Sequence, residues 1–98
     1  MVRIIWLTKA NNDLIDIYNY ILENSPYYAK KTVNTIIEKV EKLYEFPYMG
    51  RKVSYVPNEE YRELIYKSYR IIYKVKSFNI YVHRIWHSAR KIETLFLK

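Results

Sequence analysis

The alternation of apolar and polar positions divides the chain into a short strand, two amphipathic helices and three further strands. Val2 to Leu7 (VRIIWL) is β-branched and aromatic, the composition of a strand. After it the apolar spacing becomes helical. Ala10, Leu14, Ile17, Tyr18, Ile21 and Leu22 form one stripe, with Asn11, Asn12, Asp16 and Asn19 off it. Thr8 stands where a helix N-cap is expected. The segment ENSP closes this helix and opens another. Ser25 is a good N-cap, and Pro26 suits the first helical position because its missing N–H would be unbonded there anyway. Ala29, Val33, Ile36, Ile37, Val40, Leu43 and Tyr44 make the second apolar stripe, while Lys30, Lys31, Asn34, Glu38, Glu41 and Lys42 face water. So short a link predicts an antiparallel helical hairpin.

Pro47 ends the second helix, and FPYMGRKV supplies a loop around Gly50, the one glycine of the chain. Residues 51 to 60 read as irregular, with Pro57 barring a central strand. Strand character returns over Tyr61 to Lys67, Tyr69 to Lys76 and Ile80 to His87, with KSFN as the connection between the last two. The tail, Ala89 to Lys98, suits helix and strand equally. The reading is a single domain over residues 1–98 of α+β class, in the order β-α-α-β-β-β. An antiparallel helical hairpin would pack on a small, curled, mainly antiparallel sheet.

Composition narrows the chemistry. With 98 residues, half of them hydrophobic, the chain is long enough for one core and is unlike a disordered segment. No cysteine is present, so no disulfide framework, thiolate metal site or cysteine nucleophile is expected. The apolar run from Ile4 to Leu7 is too short for a signal peptide or a membrane span, so a cytoplasmic protein is expected. The net charge of +7 is unevenly distributed. Residues 1–60 hold 8 basic and 8 acidic side chains, whereas residues 61–98 hold 9 basic ones against Glu63 and Glu93. The whole excess therefore falls on the sheet-rich third of the chain. Such segregation suits an anionic partner, either nucleic acid or an acidic protein.

Several catalytic arrangements are disfavoured. His83 and His87 are four apart, but on a strand that is roughly 13 Å, too far to share an ion, and Arg84 stands where a zinc protease motif needs glutamate. No metal or cofactor is expected. There is no nucleophile elbow, and a lone glycine cannot build a phosphate-cradling loop. An arginine–histidine surface remains. Arg70 is a forked, permanent cation suited to phosphate. His87, at a predicted strand end, can exchange a proton near neutral pH. Arg90 follows in the tail and could flank the same group. Tyr61, Tyr66, Tyr69, Tyr73 and Tyr81 interleave with these, as stacking platforms or as ordinary cross-strand packing. Each feature alone reads better as part of an ordinary sheet, but together with the segregated charge they tip towards a recognition surface.

The segments ANNDLIDIYNYILENSPYYA, LYEFPYMGRKV, YREL, YRIIYKV and IYVHRIWHSAR, in this order and spacing, resemble the RelE/ParE superfamily of toxins from type II toxin–antitoxin modules. The resemblance covers nearly the whole chain and implies the same β-α-α-β-β-β order. It implies a toxin held inactive by an acidic antitoxin laid across its groove and sheet. The superfamily contains two mechanisms. RelE-like members cut mRNA on the ribosome without metal, and ParE-like members are thought to inhibit DNA gyrase by binding. Carried over residue by residue, the RelE-like phosphate arginine falls on Arg70, an acid/base histidine on His87, and a further arginine on Arg90. Arg62, Lys67, Lys74 and Arg84 would then supply RNA or ribosome contacts. The lysine pair of RelE is replaced by Arg62, Glu63, Leu64, and its C-terminal tyrosine by Leu95 and Phe96. Glu63 can replace the missing base only if its register points it at Arg70. The expected function is ribosome-dependent mRNA cleavage. Gyrase inhibition, and an inactive fold that only binds its antitoxin, stand as alternatives.

Overall fold

In chain order the elements are β1 (Ile4–Trp6), α1 (Thr8–Leu22), α2 (Pro26–Glu41) with a 3-10 turn (Lys42–Tyr44), β2 (Arg51–Lys52), β3 (Tyr61–Tyr66), β4 (Tyr69–Lys76) and β5 (Asn79–His87). The computed structural model describes residues 2–53 and 60–87. The tail and Pro57 therefore lie outside the described residues. β2 is an addition to the expected order: part of the stretch read as irregular pairs antiparallel with β3 through Arg51↔Glu63 and Lys52↔Arg62. The sheet runs β1-β5-β4-β3-β2, with β1 parallel to β5 and every other pair antiparallel.

The two helix starts differ in their physics. At α2 the Ser25 hydroxyl accepts the Tyr28 N–H at 3.2 Å, and Pro26 follows as expected. At α1 Thr8 is not the cap, because it is already helical. Leu7 holds the cap position in extended backbone, with its N–H donating to Val82 O at 3.0 Å. The chain leaves the sheet and enters the helix at one residue, which leaves no room for a capping side chain.

Between sheet and helices lies the core: Ala10, Ile36, Val40, Leu43, Leu64, Ile71, Tyr73, Ile80, Val82 and Ile85. Removing the valine, leucine and isoleucine side chains among them from water contributes about 1.5–3 kcal/mol each. A one-residue slip of β4 would turn Ile71 and Tyr73 away from the helices, so burial fixes the register. Two helix-stripe positions depart from expectation: Leu22 and Tyr44 are exposed, and Thr32 is buried instead. The sheet's other face is not simply solvated, since Ile72, Glu63 and Trp86 are buried there as well.

KSFN closes the β4–β5 hairpin, with Lys76 opposite Asn79 and only Ser77 and Phe78 between them. Both turn residues have positive φ, 53° and 67°, the pattern that Asn-Gly ordinarily fills. Holding a non-glycine residue there costs on the order of 1 kcal/mol.

Tyr73 fastens the α2–β2 loop to the sheet. Its hydroxyl donates to Pro47 O and accepts the Gly50 N–H, each at 2.9 Å. Burial raises this phenol above its usual value of 10.0, against smaller opposing effects from the Gly50 N–H and Arg62. The folded state therefore holds the phenolic proton more tightly than the unfolded chain does. That stability is intact below pH 10 and is lost as pH rises beyond it. Tyr73→Phe is expected to destabilise the protein at neutral pH by about 2 kcal/mol, because a buried N–H loses its acceptor. It should also flatten the alkaline fall in stability, as urea titrations at pH 8 and above pH 10 would detect.

Candidate functional site

The register separates the residues that the sequence grouped together. Directly opposed residues share a face of a sheet. Tyr69 lies opposite His87, and Arg70 opposite Trp86. Arg70 thus projects with Ile72 and Trp86 from the face away from the helices. His87 projects with Tyr69 and Ile85 toward α1. A register shift between Ile72 and Tyr73, where the pairing passes from Tyr73↔Val82 to Ile72↔Arg84, sets this separation. Arg90 lies outside the described residues.

On its face Arg70 sits near Glu63. The Glu63 side chain is 1% exposed, between Arg51 Nε at 2.8 Å and Arg70 Nη1 at 3.8 Å. The condition set on Glu63 is met: Glu63↔Ile72 and Ile65↔Arg70 put both side chains on one face. The unit is an Arg–Glu–Arg row across β2, β3 and β4, with the Arg70 side chain 29% exposed. A buried carboxylate between two guanidiniums is already engaged by cations, which is the arrangement of an ion-pair network more than of a general base.

His87 lies in a cleft of about 540 Å³ between α1 and the ends of β4 and β5, lined by Asp13, Asp16, Ile17, Tyr20, Tyr69, Ile85 and His87. Its ring meets Tyr69 edge-on, with centroids 5.5 Å apart. Burial, with Tyr20 and Tyr66 close by, raises the Tyr69 phenol above its ordinary range. At the cleft floor Asp13 accepts Arg84 Nε at 2.7 Å, Arg84 Nη2 at 3.1 Å and the Ile85 N–H at 2.9 Å. The hydrogen bond to Asp13 is the main reason the Arg84 guanidinium is held even more firmly protonated than usual. Asp13 thus joins α1 to β5 just beyond the end of β1, where, among the described residues, β5 pairs with β4 alone.

The other candidate nucleic-acid contacts are dispersed. Arg62 Nη1 donates to Gly50 O at 2.7 Å and Tyr48 O at 3.1 Å, and its guanidinium lies 5.1 Å from the Tyr48 ring centroid. Lys67 occupies the β3–β4 turn at φ 53°, with Nζ 5.5 Å from the Tyr66 ring. Lys74 Nζ sits 5.4 Å from the Tyr61 ring, on the Arg70 face. Arg84 is bound to Asp13. Arg62 and Arg84 are thus tied to carbonyl and carboxylate groups of the fold itself.

The sequence reading missed Asp13, which was not among the singled-out positions of α1, and the role of Tyr73. Neither has a local signal, because the partners lie 71 and 23 residues away. Among the described residues, no helix is long and apolar enough to cross a membrane, and no three His, Asp or Glu side chains group as metal ligands.

The family model described as the ParE toxin of the type II toxin–antitoxin system parDE matches residues 4–92. A solved structure of a chromosomal ParDE toxin–antitoxin system from P. aeruginosa is similar, with a TM-score of 0.75 and 31% identity, covering 89% of this chain and 96% of that one. No curated protein matches this chain.

Proposed function

We propose that this chain, which belongs to the ParE toxin family of type II toxin–antitoxin systems, acts by binding DNA gyrase rather than by cutting RNA, and is restrained by a cognate antitoxin. The observation that carries this reading is the opposite orientation of Arg70 and His87. General acid–base cleavage needs both groups within hydrogen-bond reach of one phosphodiester, and these two project from opposite faces of the sheet. A binding surface has no such requirement. Its arginines are largely held by partners within the fold, which suits a rigid surface that meets another protein.

The second reading, metal-independent mRNA cleavage on the ribosome, has one observation in its favour: Glu63 and Arg70 share a face at 3.8 Å. Two assays on the antitoxin-free protein separate the readings. Supercoiling by gyrase should be inhibited, while ribosome-bound mRNA stays intact when its 5′ ends are mapped. Cuts confined to the ribosomal A site and lost in Arg70→Ala, with supercoiling unaffected, would reverse the order of the two. The antitoxin supported by the ParDE relationship is expected to be acidic, complementing the +7 charge. Its complex should therefore weaken as ionic strength rises.

A further inference from the structure

Phe78 is the most exposed large apolar side chain among the described residues, at 83%. It stands at the tip of the β4–β5 hairpin, at φ 67°, in a two-residue turn where asparagine or glycine would be comfortable. Neither burial nor backbone preference accounts for an aromatic ring at this position. Strain of this kind, held where the fold gains nothing from it, points toward function. Two basic residues adjoin the turn. Lys76 is exposed directly beside the turn. Arg3, also exposed, immediately precedes β1, its carbonyl accepting the Ile80 N–H at 2.8 Å.

We propose that Phe78 is the anchor through which the toxin engages its target protein, the ring entering an apolar socket whose rim carries carboxylates that meet Lys76 and Arg3. The proposal rests on the gyrase-binding reading and names the toxin's side of that contact. A single aromatic on a short, defined turn is already ordered before it binds, so little freedom is lost on docking. Hot spots have this form, one large ring inside a ring of weaker polar contacts. Duplex DNA fits less well. Binding to the backbone draws its strength from many released counterions. Among the described residues, the sheet arginines Arg51, Arg70 and Arg84 face carboxylates and Arg62 faces carbonyls.

The test uses the full-length protein, free of antitoxin, in gyrase supercoiling assays, with binding to linear duplex DNA alone measured in parallel. Phe78→Asn removes the ring but suits the left-handed backbone. Its Tm should equal or exceed that of the wild type, so loss of activity cannot be assigned to unfolding. The concentration for half-inhibition should rise at least about tenfold, as for truncation of a hot-spot side chain. Phe78→Trp should retain inhibition, and Lys76→Glu should weaken it less at high salt than at low salt. Phe78→Asn inhibiting as well as the wild type would overturn the proposal while leaving the gyrase reading intact. An equal loss of binding to linear DNA would overturn it in favour of a nucleic-acid wedge. Failure of the wild type itself to inhibit would remove the gyrase reading, and this proposal with it.

Discussion

Asp13→Ala is expected to lower stability by about 3 kcal/mol, since removing one member of a largely buried, hydrogen-bonded ion pair leaves its partner uncompensated. The Arg84 side chain is only 20% exposed and would lose two hydrogen bonds, at 2.7 and 3.1 Å. The Ile85 N–H would lose its acceptor at 2.9 Å. In a domain of 98 residues this corresponds to a fall in Tm of roughly 12–24 °C. Asp13→Asn separates the contributions, because an amide oxygen can still accept from Ile85 while the charge is gone. It should retain part of the stability. A double-mutant cycle with Arg84→Ala should give a coupling energy of at least about 1 kcal/mol. A cost below 1 kcal/mol for Asp13→Ala would mean that apolar contact alone docks α1 on β5.

That ion pair also marks where sequence reading stops. The start of α2 was legible because cap, proline and first turn are adjacent in Ser25, Pro26 and Tyr28. The β4–β5 hairpin was legible because KSFN lies between two alternating runs. Asp13 and Arg84 carry no local pattern that pairs them. The grouping of Arg70 with His87 failed to predict their geometry for a more specific reason. Continued without interruption from Lys76↔Asn79, the hairpin register would set Arg70 opposite Ile85 and Ser68 opposite His87, placing Arg70 and His87 on one face. The shift between Ile72 and Tyr73 inserts one residue and turns His87 to the other face. A β-bulge has no composition signature in this stretch, so alternation alone gives the wrong face. The toxin fold was readable from the order of short motifs, whereas the facing of Arg70 and His87 depends on that one inserted residue.

Gly50→Ala is expected to lower stability by about 2–3 kcal/mol, whichever way the added methyl group is accommodated. The single glycine lies in the α2–β2 loop, a place where turn geometry often requires one, but its φ is not positive. Its requirement is space. A Cβ there would stand 2.6 Å from Tyr73 Oη, 2.7 Å from Tyr73 Cε1 and 2.8 Å from Glu63 O. None of these atoms can move away easily. The Tyr73 ring is buried in the core, and Glu63 O belongs to the backbone of β3. Forcing extra volume into such a site costs about 1–3 kcal/mol. Shifting the loop instead sacrifices the Gly50 N–H bond to Tyr73 and the Gly50 O bond from Arg62, at about 1 kcal/mol each. Thermal unfolding of Gly50→Ala, Tyr73→Phe and the double variant tests the account. Phenylalanine removes the oxygen nearest to the new methyl but not Cε1 or the Glu63 carbonyl, so the double variant should cost less than the sum of the singles. Strict additivity would mean that the two residues do not meet as described. The strain would also reach the surface. Glu63 lies opposite Arg51 and beside Arg70, so a displaced β3 carries the Arg–Glu–Arg row with it. One added methyl group in the loop would thereby disturb the cationic face of the sheet.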